Sequence, residues 1–234
     1  AVFTGCQESL WVFLGRLGVL GETYAFTTGF LWFFGLPANV CLGWFVWNYA
    51  GYFLVKSLFP DASPIKIAAL NGLMAVSLDL WMDPVTVNMH LVSHLPNFWN
   101  WAQTNSPTLF TVPIYNFWGW FFGVGVFTFI YETSWGRRGR AAAGKNLVLL
   151  YFLKLALGWA VLFIGVKIPQ LLLETVIPGY TLCPLVFEAG HQPTLSTWLL
   201  LAIVPTLMLA CIVVCLRRSR KDWGLLFTYF FCIL

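Results

Sequence analysis

Charged side chains are scarce in this chain of 234 residues: only 9% of the residues are charged, whereas 59% are hydrophobic. Soluble domains carry roughly 25% charged residues, so the composition excludes an ordinary water-soluble protein. The net charge is only +4, and most of the positive charge lies in short clusters at Arg137 and Arg217, beside apolar runs. Such clusters are typical of membrane-flanking segments and not of a nucleic-acid surface. We therefore expect an integral membrane protein that binds no nucleic acid.

Motifs for the commonest cofactors are missing as well. There is no glycine-rich nucleotide loop, no G-x-S-x-G nucleophile elbow and no C-x-x-C-H haem attachment site. The six cysteines contain no C-x-x-C pair, and three histidines are too few for the multi-histidine centre of a membrane di-iron oxygenase. The sequence therefore gives no support to nucleotide, flavin or covalent haem chemistry.

Long apolar runs dominate the rest of the sequence. A helix that crosses a bilayer needs about 17–25 mostly apolar residues. Runs of this length occur at roughly 29–55, 65–83, 109–133, 146–168 and 196–216. Shorter apolar pieces at about 9–20 and 222–234 are candidates for partial spans. The predicted fold is an all-α, polytopic integral membrane helix bundle with about six or seven transmembrane helices, in which residues 1–234 form a single transmembrane domain.

Basic residues predict the orientation of these spans. Lys56 and Lys66, the Arg137 cluster and the Arg217 cluster flank three turns, which the positive-inside rule places on the cytoplasmic side. The remaining connections are then expected together on the opposite face, around residues 21–28, 84–108 and 169–195.

The connection over 84–108 is long, apolar and irregular, and it contains Trp99 and Trp101. Tryptophan rings commonly lie at the depth of the lipid headgroups. A re-entrant segment that covers a cavity would instead place the same rings against a ligand. Both interpretations stay open at the level of sequence.

Acidic residues inside apolar runs are costly in a bilayer, so each one is a candidate functional group. Asp79 and Asp83 lie four residues apart, which on a helix places both on one face, about 6 Å apart. Two like charges this close favour retention of a proton by one carboxyl, which creates a donor beside a base. Alternatively, Asp83 caps a helix or turn before Pro84 while Asp79 pairs with a buried polar neighbour such as Asn116.

Other titratable side chains allow further hypotheses. Glu22 is a third carboxylate near the end of a span, and Glu132 and Lys154 are expected to pair across adjacent helices. The histidines are either ordinary interfacial residues or ligands of a metal ion or of a chlorophyll magnesium. They are His90, His94 and His191.

Three sequence blocks form a recognisable set: Asp79-x-x-x-Asp83-Pro84, Trp99-x-Trp101 and Val112-Pro113-x-x-Asn116-Phe117-x-Gly119-Trp120. Together they resemble the integral-membrane carotenoid biosynthesis protein family, whose best-known members are hydratases of bacterioruberin-type and other acyclic carotenoids. The upstream segment from Gly21 to Phe26 resembles a further block, with Phe26 where a second Tyr is usual. Thr111 stands where Gly usually precedes the Val-Pro pair. The resemblance covers about residues 20–125, and residues 126–234 are less recognisable.

This resemblance implies a hydratase that requires no cofactor and adds water to a terminal carbon–carbon double bond of an acyclic carotenoid. Asp83 would protonate the alkene, Asp79 or Glu22 would orient water and accept its proton, and Trp120 would shield the cation. Aromatic residues form 18% of the chain, and ring faces stabilise a developing carbocation. The implied substrate contacts are Tyr24, Trp44, Trp99, Trp101, Asn116, Phe117 and Trp120.

Two other classes of function stay open. A non-catalytic pigment-binding or structural subunit of a photosynthetic membrane complex would hold a carotenoid or chlorophyll against the aromatic spans. A transporter is the third option, because intramembrane acids occur in transporters too. For the hydratase and the pigment-binding subunit alike, carotenoid and lipid are the expected partners.

Overall fold

Five helices form most of the described chain in a computed structural model, which describes residues 2–17, 24–27, 29, 31–33, 35–88, 96–101, 106–135, 147–179 and 181–182. The helices are α1 (Val2–Arg16), α2 (Ala38–Leu58), α3 (Pro64–Val87), α4 (Ile114–Ser134) and α5 (Leu147–Val176). Three of them, α3, α4 and α5 over Val148–Val176, are long and apolar enough to cross a membrane. The chain is therefore a mostly helical integral membrane protein, as predicted.

The helices match the predicted runs, but several ends differ. α1 begins at Val2, well before the predicted start near residue 9. α3 continues through Pro84, and α5 continues through Pro169 to Val176. The number of six or seven transmembrane helices stays a prediction. The runs at 196–216 and 222–234 and the Arg137 and Arg217 clusters lie outside the described residues.

Two of the predicted spans begin as β-hairpins and not as helix. The strand β2 (Trp32–Phe33) pairs antiparallel with β3 (Leu36–Pro37), immediately before α2. In the same way β5 (Thr108–Leu109) pairs with β6 (Val112–Pro113), immediately before α4. Because the residue before a proline is restricted to extended conformations, each helix begins only after its proline.

The turn between β5 and β6 contains two residues in an unfavourable conformation. Phe110 and Thr111 have φ angles of 52° and 69°. The left-handed region costs a residue with a Cβ roughly 1–2 kcal/mol. Asn88, which follows α3, donates to Thr111 Oγ1 at 2.8 Å and so ties the turn to that helix. This geometry explains why glycine suits position 111.

The α3 helix packs against both α2 and α4, and α4 packs in turn against α5. A Cβ added at Gly72 of α3 would lie 2.7 Å from the carbonyl oxygen of Phe121 in α4, so glycine permits a close approach of these two helices. Across the same interface, Asn71 Nδ2 donates to Thr128 Oγ1 at 2.8 Å. These contacts hold α3 and α4 at a fixed spacing.

The connections expected on one face do lie together where the structure describes them. β1 (Tyr24–Phe26) pairs antiparallel with β4 (Trp99–Trp101), and β5 pairs in parallel with β7 (Thr181–Leu182). These two pairings join the three predicted connections at one end of the bundle.

The expected pairing of Glu132 with Lys154 is wrong. The Glu132 carboxylate accepts from the Tyr52 hydroxyl and lies 3.4 Å from Lys56 Nζ. Tyr52 and Lys56 are one turn apart on α2, so together they hold the carboxylate between them. Lys154 Nζ instead donates to the carbonyl oxygen of Thr133 at 3.1 Å, in the last turn of α4, where cations interact favourably with helix carbonyls.

Candidate functional site

A partly open cavity of about 280 Å³ lies between the first four helices and the β1–β4 pair. Ligand sites occupy roughly 300–1,000 Å³, so this cavity has room for the end of a long polyene and not for its whole length. Aromatic side chains dominate its lining: Tyr24, Phe26, Trp44, Trp47, Phe98, Trp99, Trp101 and Trp120. The polar residues that line it are Glu8, Asn39, Asp83, Thr86 and Asn116.

Asp79 and Asp83 form a buried acid pair one turn apart on α3, with exposed fractions of 0% and 3%. Asn116 Nδ2 of α4 donates to Asp79 Oδ2 at 2.7 Å and to Asp83 Oδ2 at 2.6 Å. Because an amide nitrogen carries two hydrogens, this one group satisfies an oxygen of each carboxyl at once. Asp83 lines the cavity, and Asp79 is not among the lining residues.

The alternative interpretation of the acid pair is right for one residue and wrong for the other. Asp79 does pair with Asn116, as that interpretation expects. Asp83 does not cap a helix, because α3 continues through Pro84 to Val87. Near the end of that helix, Asn88 Nδ2 donates to the Pro84 carbonyl oxygen at 2.7 Å. Asp83 is thus an interior residue of α3 whose side chain lines the cavity.

Glu8 of α1 supplies a third carboxylate. Its Oε1 accepts from Trp44 Nε1 at 2.8 Å, and its Oε2 accepts from the Tyr24 hydroxyl. The α1 helix is not among the three candidate membrane spans. Burial raises the pKa of Glu8 to about 7, and the hydrogen bond from Trp44 opposes that rise. A carboxyl with a pKa near neutrality is suited to both giving and taking a proton.

Glu8 is not among the residues predicted from the sequence, although the sequence contains a signal for it. Glu8 is an acidic residue within an otherwise largely apolar helix, the same signal that points to Asp79 and Asp83. The first apolar run, placed at about 9–20, begins one residue too late to include it.

Three tryptophans from α2 and α4 form one wall of the cavity, here called the helix wall. Trp44 stacks on Trp120 with ring centroids 3.9 Å apart and an interplanar angle of 18°. The ring of Trp47 lies 5.5 Å from that of Trp120. Trp44 and Trp120 are nearly fully buried. The faces of such rings attract a positive charge in a dry site.

A second wall, the strand wall, consists of rings from β1 and β4. The Tyr24 and Trp101 rings lie edge to face at 4.8 Å, and those of Phe26 and Trp99 at 5.9 Å. Tyr24 is opposite Trp101 in the strand register, and Phe26 is opposite Trp99. The described part of the 84–108 connection therefore lies against a cavity, as the re-entrant interpretation expects.

Apart from Asp79, which is buried and does not line the cavity, the predicted site residues fall into three groups. Those that line the cavity are Tyr24, Asp83, Trp44, Trp99, Trp101, Asn116 and Trp120. Phe117 lines no described cavity and packs with Val87 and Val112 in a separate apolar cluster. Glu22, His90, His94 and His191 lie outside the described residues.

Metal ligation by the histidines stays a prediction. Within the described ranges, no group of three or more His, Cys, Asp and Glu side chains is arranged to hold a metal ion.

The sequence model of the family described as carotenoid biosynthesis protein matches residues 22–183, well over half of the chain. The chain belongs to the carotenoid biosynthesis protein family. The matched region contains the acid pair, Asn116 and both aromatic walls, whereas Glu8 precedes it. This member of the family is therefore an integral membrane protein with a carotenoid-related function. No curated protein and no solved structure matches the chain in the comparisons.

Proposed function

We propose that this member of the carotenoid biosynthesis protein family adds water to a terminal carbon–carbon double bond of an acyclic carotenoid. The observation that supports this most directly is a buried acid pair at the wall of an aromatic cavity. The cavity volume of about 280 Å³ suits the end of a polyene, which is where the reacting double bond lies. The family relationship independently favours a carotenoid as the ligand.

Asp83 is the proposed proton donor because it lines the cavity and Asp79 does not. Two adjacent buried carboxyls repel each other strongly when both are charged, so the pair keeps one proton between them. Transfer of this proton to the terminal alkene breaks the π bond and forms a carbon–hydrogen bond. The products of the step are a tertiary carbocation and a deprotonated acid pair.

The second step adds water to the cation. The helix wall (Trp44, Trp47 and Trp120) stabilises the positive charge through the faces of its rings. The water oxygen attacks the cation and forms a carbon–oxygen bond, and the surplus proton passes to Glu8. Glu8 thus takes the role that the sequence resemblance implies for Asp79 or Glu22. Return of that proton to the acid pair completes a cycle in which one water is consumed.

A pigment analysis in cells tests the proposal. We would express the chain in a lycopene-accumulating host and compare it with Asp83→Asn and with Asp61→Asn, which changes an exposed carboxylate in the α2–α3 turn. Liquid chromatography–mass spectrometry should show a product heavier by one water for the native chain and the Asp61 variant. Loss of a general acid lowers a rate by about 100-fold or more, so Asp83→Asn should form almost none. Equal product from Asp83→Asn would refute the assignment.

A non-catalytic pigment-binding protein, within a larger membrane complex, is the second candidate. The aromatic lining of the cavity favours it, since rings bind a polyene whether or not an acid reacts with it. In this role the three histidines are candidate chlorophyll ligands. The same cells distinguish the two candidates: unmodified carotenoid that copurifies with the protein, without any hydrated product, supports pigment binding and contradicts the hydratase.

A further inference from the structure

A second, smaller cavity of about 40 Å³ lies beside the larger one. The two cavities share several lining residues, namely Glu8, Tyr24, Trp44, Trp101, Asn116 and Trp120. One water molecule needs roughly 10–15 Å³ of such space. The smaller cavity therefore has room for about three waters, and it is too small for the end of a carotenoid.

Polar atoms without partners belong to the residues that line this smaller cavity. Gln7 Oε1, Trp101 Nε1 and the Tyr115 hydroxyl are buried and have no hydrogen-bond partner among the described residues. Tyr115 is only 3% exposed. An unpaired buried polar group costs about 1–3 kcal/mol. An acceptor, a donor and a hydroxyl around one small space match what water offers, since it donates and accepts at once.

Gly119 of α4 also lines the smaller cavity. A Cβ added at Gly119 would have no heavy atom of another element or side chain within 4 Å in the described part of the chain. The space beside this glycine is therefore open, and an alanine methyl would enter it without a clash. Because the methyl is comparable in size to a water molecule and Gly119 lines the smaller cavity, we expect the methyl to displace water there.

We propose that the smaller cavity is a water-binding chamber, whose waters are held by Gln7, Trp101 and Tyr115 and reach Glu8 at the boundary of the larger cavity. Glu8 lines both cavities, so a water bound to it in the chamber lies next to the site of the carotenoid end. We further infer that the chamber supplies the attacking water of the hydration reaction, and this role, unlike the binding of water, rests on the proposed function. That water gives its oxygen to the carbocation and its surplus proton to the Glu8 carboxylate.

Radiolytic footprinting tests the chamber without any reference to activity. X-ray pulses generate hydroxyl radicals from waters in place, so a buried side chain is oxidised quickly only where it contacts bound water. In the detergent-solubilised full chain, Tyr115 should be oxidised faster than Phe117, once each rate is normalised to the intrinsic reactivity of its side chain. Phe117 is comparably buried, at 7% exposed, and lines neither cavity.

The decisive variant is Gly119→Ala, with Gly125→Ala as its matched control on the same helix. A Cβ at Gly125 makes an ordinary contact of 3.4 Å with the Ala68 carbonyl oxygen and lies in neither cavity lining. Both changes favour the helix, since alanine is the better helix former. Gly119→Ala should slow the oxidation of Tyr115 severalfold, and Gly125→Ala should not. Slow oxidation of Tyr115 in the native chain, or an equal effect of both variants, would overturn the chamber.

A second assay addresses the supply of water to the reaction. Purified protein with lycopene in heavy water should form hydrated product, and Gly119→Ala should lower its rate by about tenfold or more, because an ordered water is displaced without replacement of its hydrogen bonds. If protonation by the acid pair is reversible, deuterium should still enter unreacted lycopene in this variant, because that step does not need the chamber. Absence of product from the native chain would refute the proposed hydratase but not the chamber. Full product from Gly119→Ala would refute the supply role alone.

Discussion

Asn116→Leu tests the acid pair most sharply, because one amide nitrogen donates to both carboxyls, at 2.7 and 2.6 Å. Interhelical hydrogen bonds in membrane proteins average only about 0.6 kcal/mol, so two ordinary ones would amount to roughly 1 kcal/mol. A hydrogen bond to a charged group contributes about 1.5–3 kcal/mol and a neutral one about 0.5–1.5 kcal/mol. With one proton on the pair, one hydrogen bond is of each kind, so we expect the free energy of unfolding of the variant to fall by about 2–4.5 kcal/mol.

The assay is equilibrium unfolding in mixed micelles, followed by tryptophan fluorescence. Asn39→Leu is the matched control, because Asn39 is an exposed asparagine of α2, and such a change alters stability by less than about 0.5 kcal/mol. A loss of about 1 kcal/mol or less for Asn116→Leu would refute the idea that this amide stabilises a charged, buried pair.

Three further predictions concern helix packing, pH dependence and orientation. Gly72→Ala should destabilise the bundle by about 1–3 kcal/mol in the same unfolding assay, because its Cβ meets the Phe121 carbonyl oxygen at 2.7 Å; an effect no larger than that of Gly125→Ala would contradict this. The pKa of Glu8 is raised from 4.5 to about 7 on folding, so the folded state binds its proton more tightly. The free energy of unfolding should therefore fall as pH rises from about 4.5 to 7 and then level off. Glu8→Gln should remove that part of the slope, and an unchanged slope would contradict the assignment. Finally, the α2–α3 turn is predicted to be cytoplasmic, so a cysteine introduced by Asp61→Cys should react with a membrane-impermeant thiol reagent only after the cells are lysed. Labelling of this cysteine in intact cells would contradict the predicted orientation.

Hydrophobic patterning predicts the membrane helices well, because a bilayer span requires a long apolar run whatever its neighbours are. It does not predict the hairpins before α2 and α4. Their residues are as apolar as those of the helices, and only Pro37 and Pro113 indicate the boundary. The apolar runs likewise end α3 and α5 too early, at residues 83 and 168, since both helices continue through an internal proline.

The residues of the candidate site also differ in whether the sequence predicts them. Asp79, Asp83 and Asn116 are predictable because the acids share one helix face and the motif supplies the amide. Glu8 depends on the docking of α1 against Trp44 and Tyr24, a tertiary contact that spacing along the chain does not encode. The pairing of Glu132 with Lys56 and not with Lys154 depends equally on which helix is its neighbour.

Oxygen-18 labelling tests the central claim most directly. Purified protein would be incubated with lycopene in oxygen-18 water, and the products would be analysed by mass spectrometry beside those of Asp83→Asn. The account predicts a product in which the added oxygen comes from the labelled water, formed by the native chain and almost absent with the variant. Unmodified lycopene throughout, or a product whose oxygen carries no label, would contradict hydration at this site.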